Sequence, residues 1–121
     1  MKGQRILVVE DEPVVRKLTV ALLSHAGFEA VAVSDGAQAL EVLEGEEEFD
    51  VVLSDASMPG LSGSELLAAL RSRNLGMPFV LMSGFADDRF EIPPSHRASH
   101  LAKPFDGNML VDAVRSALTT A

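Results

Sequence analysis

The stretch that decides the fold is Val51-Val52-Leu53-Ser54-Asp55-Ala56-Ser57-Met58-Pro59-Gly60. It is a short apolar, β-branched run that ends on a carboxylate and then breaks at Pro-Gly. A run of this length bounded by turn signals reads as a strand buried on both faces, as in a parallel sheet. Asp55 then sits at the rim of that sheet, where open α/β sheets place their ligands.

Working outward, the same pattern recurs at Ile6–Val9 and Phe79–Met82, with weaker versions at Phe28–Val33 and Ser99–Ala102. Helical spacing fills the intervals. From Val14 to Ala26 the apolar residues Val14, Val15, Leu18, Ala21 and Leu22 predict a helix that starts at Pro13 and stops at Gly27, with Arg16 and Lys17 on its outer face. His25 is expected as a cation at that helix end. Asp35 with Gln38 has capping-box spacing ahead of Ala37, Leu40 and Leu43, and Ser62 with Glu65 has it ahead of Leu66, Leu67 and Leu70. The acidic run Gly45-Glu46-Glu47-Glu48 reads as a solvated helix end. Arg71 and Arg73 suit a helix C-terminus, and Asn74–Pro78 a loop. Residues 85–99 are expected to hold a short helix ended by Pro93-Pro94. Asp106 is expected to cap a last helix with the stripe Leu110, Val111, Val114 and Leu118.

Strands alternating with helices imply an α/β fold, a doubly wound five-stranded parallel sheet of order 2-1-3-4-5, with right-handed crossovers. At 121 residues the expectation is a single domain over 1–121. Ten Lys and Arg against eighteen Asp and Glu give a net charge of −8, which argues against direct nucleic-acid binding. The partner is expected to be a protein or a cation. Cysteine is absent, which excludes thiol chemistry and disulfides, and no apolar run approaches a membrane span. With no signal-peptide pattern at the start, the expected location is cytoplasmic.

All strand C-termini share one edge in such a sheet. Glu10 and Asp11, Asp55, Ser83 and Lys103 therefore converge, and strands one and three are neighbours at the switch point. Crowded carboxylates raise one another's pKa unless a cation joins them, and an all-oxygen donor set of this kind suits Mg²⁺. Each residue alone has an ordinary structural reading as a cap, turn or surface charge. The combination at one rim is what carries the argument.

On these residues the chain resembles a response-regulator receiver domain of two-component signalling, with the flavodoxin-like (βα)5 fold. The matching pieces are Glu10-Asp11, the block from Asp55 through Met58-Pro59-Gly60 to Gly63, Ser83-Gly84, and Lys103-Pro104-Phe105. The resemblance implies that Asp55 accepts a phosphoryl group from a histidine kinase or histidine phosphotransfer protein. It implies that Asp11 binds Mg²⁺ directly, Glu10 through water and Ser57 through its backbone carbonyl, with Asp55 also in the metal site. Lys103, Ser83 and backbone N–H groups near Ala56, Ser57 and Gly84 would cradle the phosphoryl oxygens. A cis Lys103-Pro104 bond is expected by the same resemblance. Ser57 and Phe85 occupy positions that tune phosphoryl lifetime. Ser83 and the strand-five residue His100 occupy the switch positions that pass the signal to a downstream protein target. Two features depart from the family pattern: His100 stands where an aromatic is usual, and Pro93-Pro94 falls in the fourth-helix region.

The expected product is a phosphoacceptor that assists its own phosphorylation and dephosphorylation, not a turnover enzyme, and a monomer or weak dimer. Two other readings stay open on sequence grounds. One is a receiver-shaped interaction module that takes no phosphate. The other is an aspartyl-nucleophile phosphatase, although such an enzyme wants a second acid two residues past the nucleophile, where this chain has Ser57.

Overall fold

In the computed structural model, which describes residues 4–45, 47–84 and 97–119, the chain order is β1 (Arg5–Val9), α1 (Pro13–His25), β2 (Glu29–Val33), α2 (Gly36–Leu43), β3 (Val51–Asp55), α3 (Gly63–Ser72), β4 (Phe79–Ser83), β5 (Ala98–Ala102) and α4 (Gly107–Thr119). The five strands form one parallel sheet in the order β2-β1-β3-β4-β5, as expected. Residues 85–96, where a further short helix and its Pro93-Pro94 stop are expected, lie outside the described residues.

Alternation along each strand sorts side chains to two layers. Leu7, Val9, Val52, Phe79 and Leu81 pack against Ala39 and Leu43 of α2 and Leu66, Leu67 and Leu70 of α3. Ile6, Val8, Val51, Leu53, Val80 and Met82 pack against Leu23 of α1 and Leu110, Val114 and Ala117 of α4. Covering both faces is what lets the central strands read as unbroken apolar runs.

Helix ends follow local chemistry. Ser62 and Glu65 form the reciprocal capping box that starts α3. Asp35 accepts from the Gln38 N–H, but the Gln38 side chain reaches back to the Ser34 N–H, so that box is only half closed. Asp106 accepts from the Met109 N–H at the start of α4, and Gly27 leaves α1 with φ of 98°. Arg71 donates to the carbonyls of Leu75 and Met77, tying down the expected loop. The described residues of the acidic run, Gly45, Glu47 and Glu48, are exposed as expected, and Glu47 pairs with Arg5, which also pairs with Glu29 and lies over the Phe49 ring.

One helix faces differently from its expected stripe. Val14, Leu18 and Ala21 of α1 are exposed, Val14 by 77% and Leu18 by 57%. The inward face is instead Thr19 and Leu23, flanked by Val15, Leu22 and Ala26. Apolar residues occupy both sides of this helix, so two phases fit its periodicity. The inward one includes a threonine whose hydroxyl donates to the Val15 carbonyl at 2.7 Å. That satisfied hydroxyl removes most of the cost of burying it.

Candidate functional site

The rim at the strand C-termini gathers the expected side chains. β1 runs into Glu10 and Asp11, the neighbouring β3 ends on Asp55, β4 ends on Ser83, and β5 leads to Lys103. Met82 lies opposite Asp55 in the β3–β4 register, and Ser83 lies opposite Ala102. The Lys103 N–H donates to the Ser83 carbonyl at 2.8 Å, extending the ladder past β5. The Lys103-Pro104 peptide is cis. The Lys103 Nζ donates to Asp55 Oδ1 at 2.7 Å.

Glu10, Asp11 and Asp55 each bring a carboxylate oxygen within 4.8 Å of the other two. Glu10 and Asp55 are buried, at 1% and 6% exposure. Glu10 Oε2 accepts from the Glu12 N–H at 3.1 Å, whereas Glu10 Oε1 is buried without a hydrogen-bond partner. Burial pushes the Glu10 carboxyl up to about 7, with the nearby Asp55 charge adding to the rise, against lowering by the Glu12 N–H and by Lys103. A buried carboxylate oxygen with no donor is costly as it stands and is well suited to a cation. Three carboxylates with no nitrogen or sulfur donor fit a hard divalent ion such as Mg²⁺.

The Ala56 N–H donates to the Met82 carbonyl at 2.8 Å, carrying the β3–β4 ladder one peptide past Asp55. His100 is exposed on β5, Ser57 is exposed at the turn after Asp55, and Phe85 lies outside the described residues.

Two residues bear on the site that the sequence reading passed over. Ser54 is fully buried inside β3, and its hydroxyl donates to the Asp55 carbonyl at 3.0 Å. Arg16, expected on the outer face of α1, is half-buried and donates to the carbonyls of Glu10 and Asp11. A signal for Arg16 exists in the sequence: a cation in the first turns of a helix opposes the macrodipole, so something else holds it there.

With that geometry in view, similarity to known proteins becomes informative. Residues 6–115 match the family model of the response regulator receiver domain. The chain belongs to that family. Response regulator protein FleR of Pseudomonas aeruginosa is 38% identical over 112 residues, covering 91% of this chain and 24% of that protein. Sensor kinase CckA of Brucella abortus is 35% identical over 116 residues, covering 93% of this chain and 12% of that protein. The chain thus spans a quarter or less of the length of these two relatives. Among solved structures, a response regulator receiver domain protein from Clostridium thermocellum superposes with a TM-score of 0.86 at 28% identity, covering 95% of this chain and 94% of that one. The receiver domain of the hybrid histidine kinase CckA gives 0.78 at 31% identity, covering 95% and 99%. The receiver assignment and its fold therefore stand, and a phosphoacceptor role is general to the family. Among the described residues, no helix is long and apolar enough to cross a membrane.

Proposed function

We propose that Asp55 of this receiver is the phosphoacceptor, taking a phosphoryl group from a phosphohistidine on a kinase or phosphotransfer protein. An Asp55 carboxylate oxygen attacks phosphorus, the P–N bond breaks, and the imidazole leaves, giving a mixed anhydride. Such transfer depends on positioning and charge neutralisation more than on acid–base work. The observation that carries this reading is the Lys103 Nζ contact with Asp55 Oδ1 at 2.7 Å, set beside a trio of carboxylates of which Glu10 and Asp55 are buried.

Each residue has a place in that chemistry. Lys103 holds the nucleophile before transfer and meets developing negative charge on the phosphoryl oxygens during it. Glu10, Asp11, Asp55 and the Ser57 carbonyl would hold Mg²⁺, which when bound neutralises carboxylate and phosphoryl charge. The backbone donors of the cradle are assigned to Ser57 and Gly84, with the Ser83 hydroxyl beside them. The output reading runs through Ser83 and His100 to the surface near β5, where a downstream protein would read the state. Ser57 and Phe85 are assigned to setting how long the anhydride survives. The reading takes residues 1–121 as a single domain, in a cytoplasmic setting and as a monomer or weak dimer.

The phosphodonor docks, in this reading, on α1. Val14 and Leu18 lie one turn apart on the helix that follows Asp11, and both face solvent. Together with Met109 of α4 they are the exposed large apolar side chains of the described residues. An apolar helix stripe beside the site suits a helical partner.

Intact mass after incubation with Mg²⁺ and a small acyl phosphate tests the proposal; the chain has no Trp or Tyr for a fluorescence readout. A single metal-dependent phosphoryl adduct, absent in Asp55→Asn, is expected. An adduct that persists in Asp55→Asn, or none in the wild type, would overturn the assignment.

A further inference from the structure

Arg16 sits in the first turns of α1, where a positive charge opposes the helix dipole. It is nevertheless half-buried and points back over the loop it follows. Its Nη1 donates to the Glu10 carbonyl at 2.9 Å and to the Asp11 carbonyl at 3.4 Å. Its own N–H donates to the Glu12 carbonyl at 2.8 Å, and the Glu12 N–H returns to Glu10 Oε2 at 3.1 Å. The Glu10 N–H is tied to the Val33 carbonyl of β2 at 3.2 Å. The acidic turn is therefore gripped on its carbonyl side by one guanidinium and on its N–H side by the sheet.

We infer that Arg16 is a positioning residue for the cation site, holding the Glu10-Asp11 backbone so that both carboxylates face Asp55. This rests on the proposed function, since it concerns the same ion. Three carboxylates gathered within 4.8 Å repel one another, and a loose turn between β1 and α1 relieves that repulsion by swinging Glu10 or Asp11 away. A fixed turn keeps the donors together before the ion arrives, so less ordering is needed on binding. Outer groups that orient metal ligands typically matter by 10–100-fold in affinity. Both bonds leave one nitrogen, Nη1, which lies one bond farther from Cα than a lysine Nζ, so a lysine at this position falls short of the two carbonyls. Lys17, next in sequence and exposed, carries the same charge and serves as the control for charge alone.

The test is a Mg²⁺ titration of ¹⁵N-labelled protein followed through backbone amide shifts, with thermal unfolding recorded for each variant. Arg16→Ala is expected to weaken Mg²⁺ binding by about tenfold. Lys17→Ala is expected to change it by less than about twofold, because salt screens an exposed charge. Arg16→Lys falls on the weakened side and decides the matter alone if Arg16→Ala fails to fold. Phosphoryl uptake supplies a second readout: Arg16→Ala is slow at limiting Mg²⁺ and reaches the wild-type rate at saturating Mg²⁺. Wild-type affinity in both Arg16 variants, or equal weakening by Lys17→Ala, overturns the inference while leaving the phosphoacceptor reading intact. A wild-type protein whose amides near Glu10, Asp11 and Asp55 ignore Mg²⁺ overturns the ion assignment and this inference together.

Discussion

Gly63 opens α3 at a point where the helix presses directly on the phosphoacceptor strand. A Cβ added there would lie 2.5 Å from the Asp55 carbonyl oxygen, 2.5 Å from Leu81 Cδ1 and 3.0 Å from Ala56 Cα. The Gly63 N–H also donates to the Ala56 carbonyl at 2.9 Å, so the helix cannot simply slide away. Overpacking of this kind costs about 1–3 kcal/mol, and two of the three obstructing atoms are backbone, which places Gly63→Ala at the upper end. Alanine's better helix propensity returns up to about 1 kcal/mol, leaving a net loss of about 2 kcal/mol. For a chain of this size each kcal/mol shifts Tm by about 4 °C, so unfolding followed by far-UV circular dichroism should move down by about 8 °C. Phosphoryl uptake should slow as well, because the Asp55 peptide is what yields. The double variant Gly63→Ala/Leu81→Ala separates the causes, since it relieves the side-chain contact but not the carbonyl. A Tm unchanged in Gly63→Ala, or a double variant no less stable than Leu81→Ala alone, would refute the backbone argument.

Other outcomes follow from the same geometry. Glu10 binds its proton more tightly folded than unfolded, so its stabilising contribution is full below the ordinary carboxylate pKa of 4.5 and is lost as pH rises through about 7. Tm of the metal-free protein should therefore fall across that window through this residue, Glu10→Gln should flatten the slope, and added Mg²⁺ should raise Tm more at the alkaline end. Leu18→Glu should impair phosphoryl transfer from a kinase by tenfold or more, about the loss of one buried leucine contact, while leaving uptake from a small acyl phosphate unchanged. Equal loss with both donors would remove the α1 docking reading. Ser62→Ala should cost about 1 kcal/mol by opening the α3 capping box, read as a lower urea midpoint at constant m.

The sheet was legible because its central strands are unbroken apolar runs, each ending in a polar or turn residue, and parallel order then dictates that those ends meet. Asp55, Asp11, Glu10, Ser83 and Lys103 could be placed on one rim from that logic alone. What resisted reading were interactions that carry no periodic signature. Only its place against the helix dipole sets Arg16 apart from other surface cations until its guanidinium is seen on the Glu10 and Asp11 carbonyls. The phase of α1 was ambiguous because Val14 and Leu18 are as apolar as the residues that do face inward, and burial of Thr19 depends on a hydroxyl bond invisible in sequence. The bond from the Ala56 N–H to the Met82 carbonyl, which carries the β3–β4 ladder one peptide past Asp55, likewise has no signature in the sequence.

A sheet whose strands all run the same way has two unlike ends. Every crossover must climb back from the reactive rim and re-enter at the opposite one, so the turns before β3 and β4 lie far from Asp55. At that opposite end, Arg5 already gathers Glu29, Glu47 and Phe49, and Arg71 fastens the segment ahead of Phe79. The anchorage there is independent of the carboxylate trio. A fluorophore or epitope attached at residues 44–45, just past the end of α2, would thus report on this molecule without touching its chemistry, which makes that position the natural place to instrument a chain that lacks both tryptophan and tyrosine.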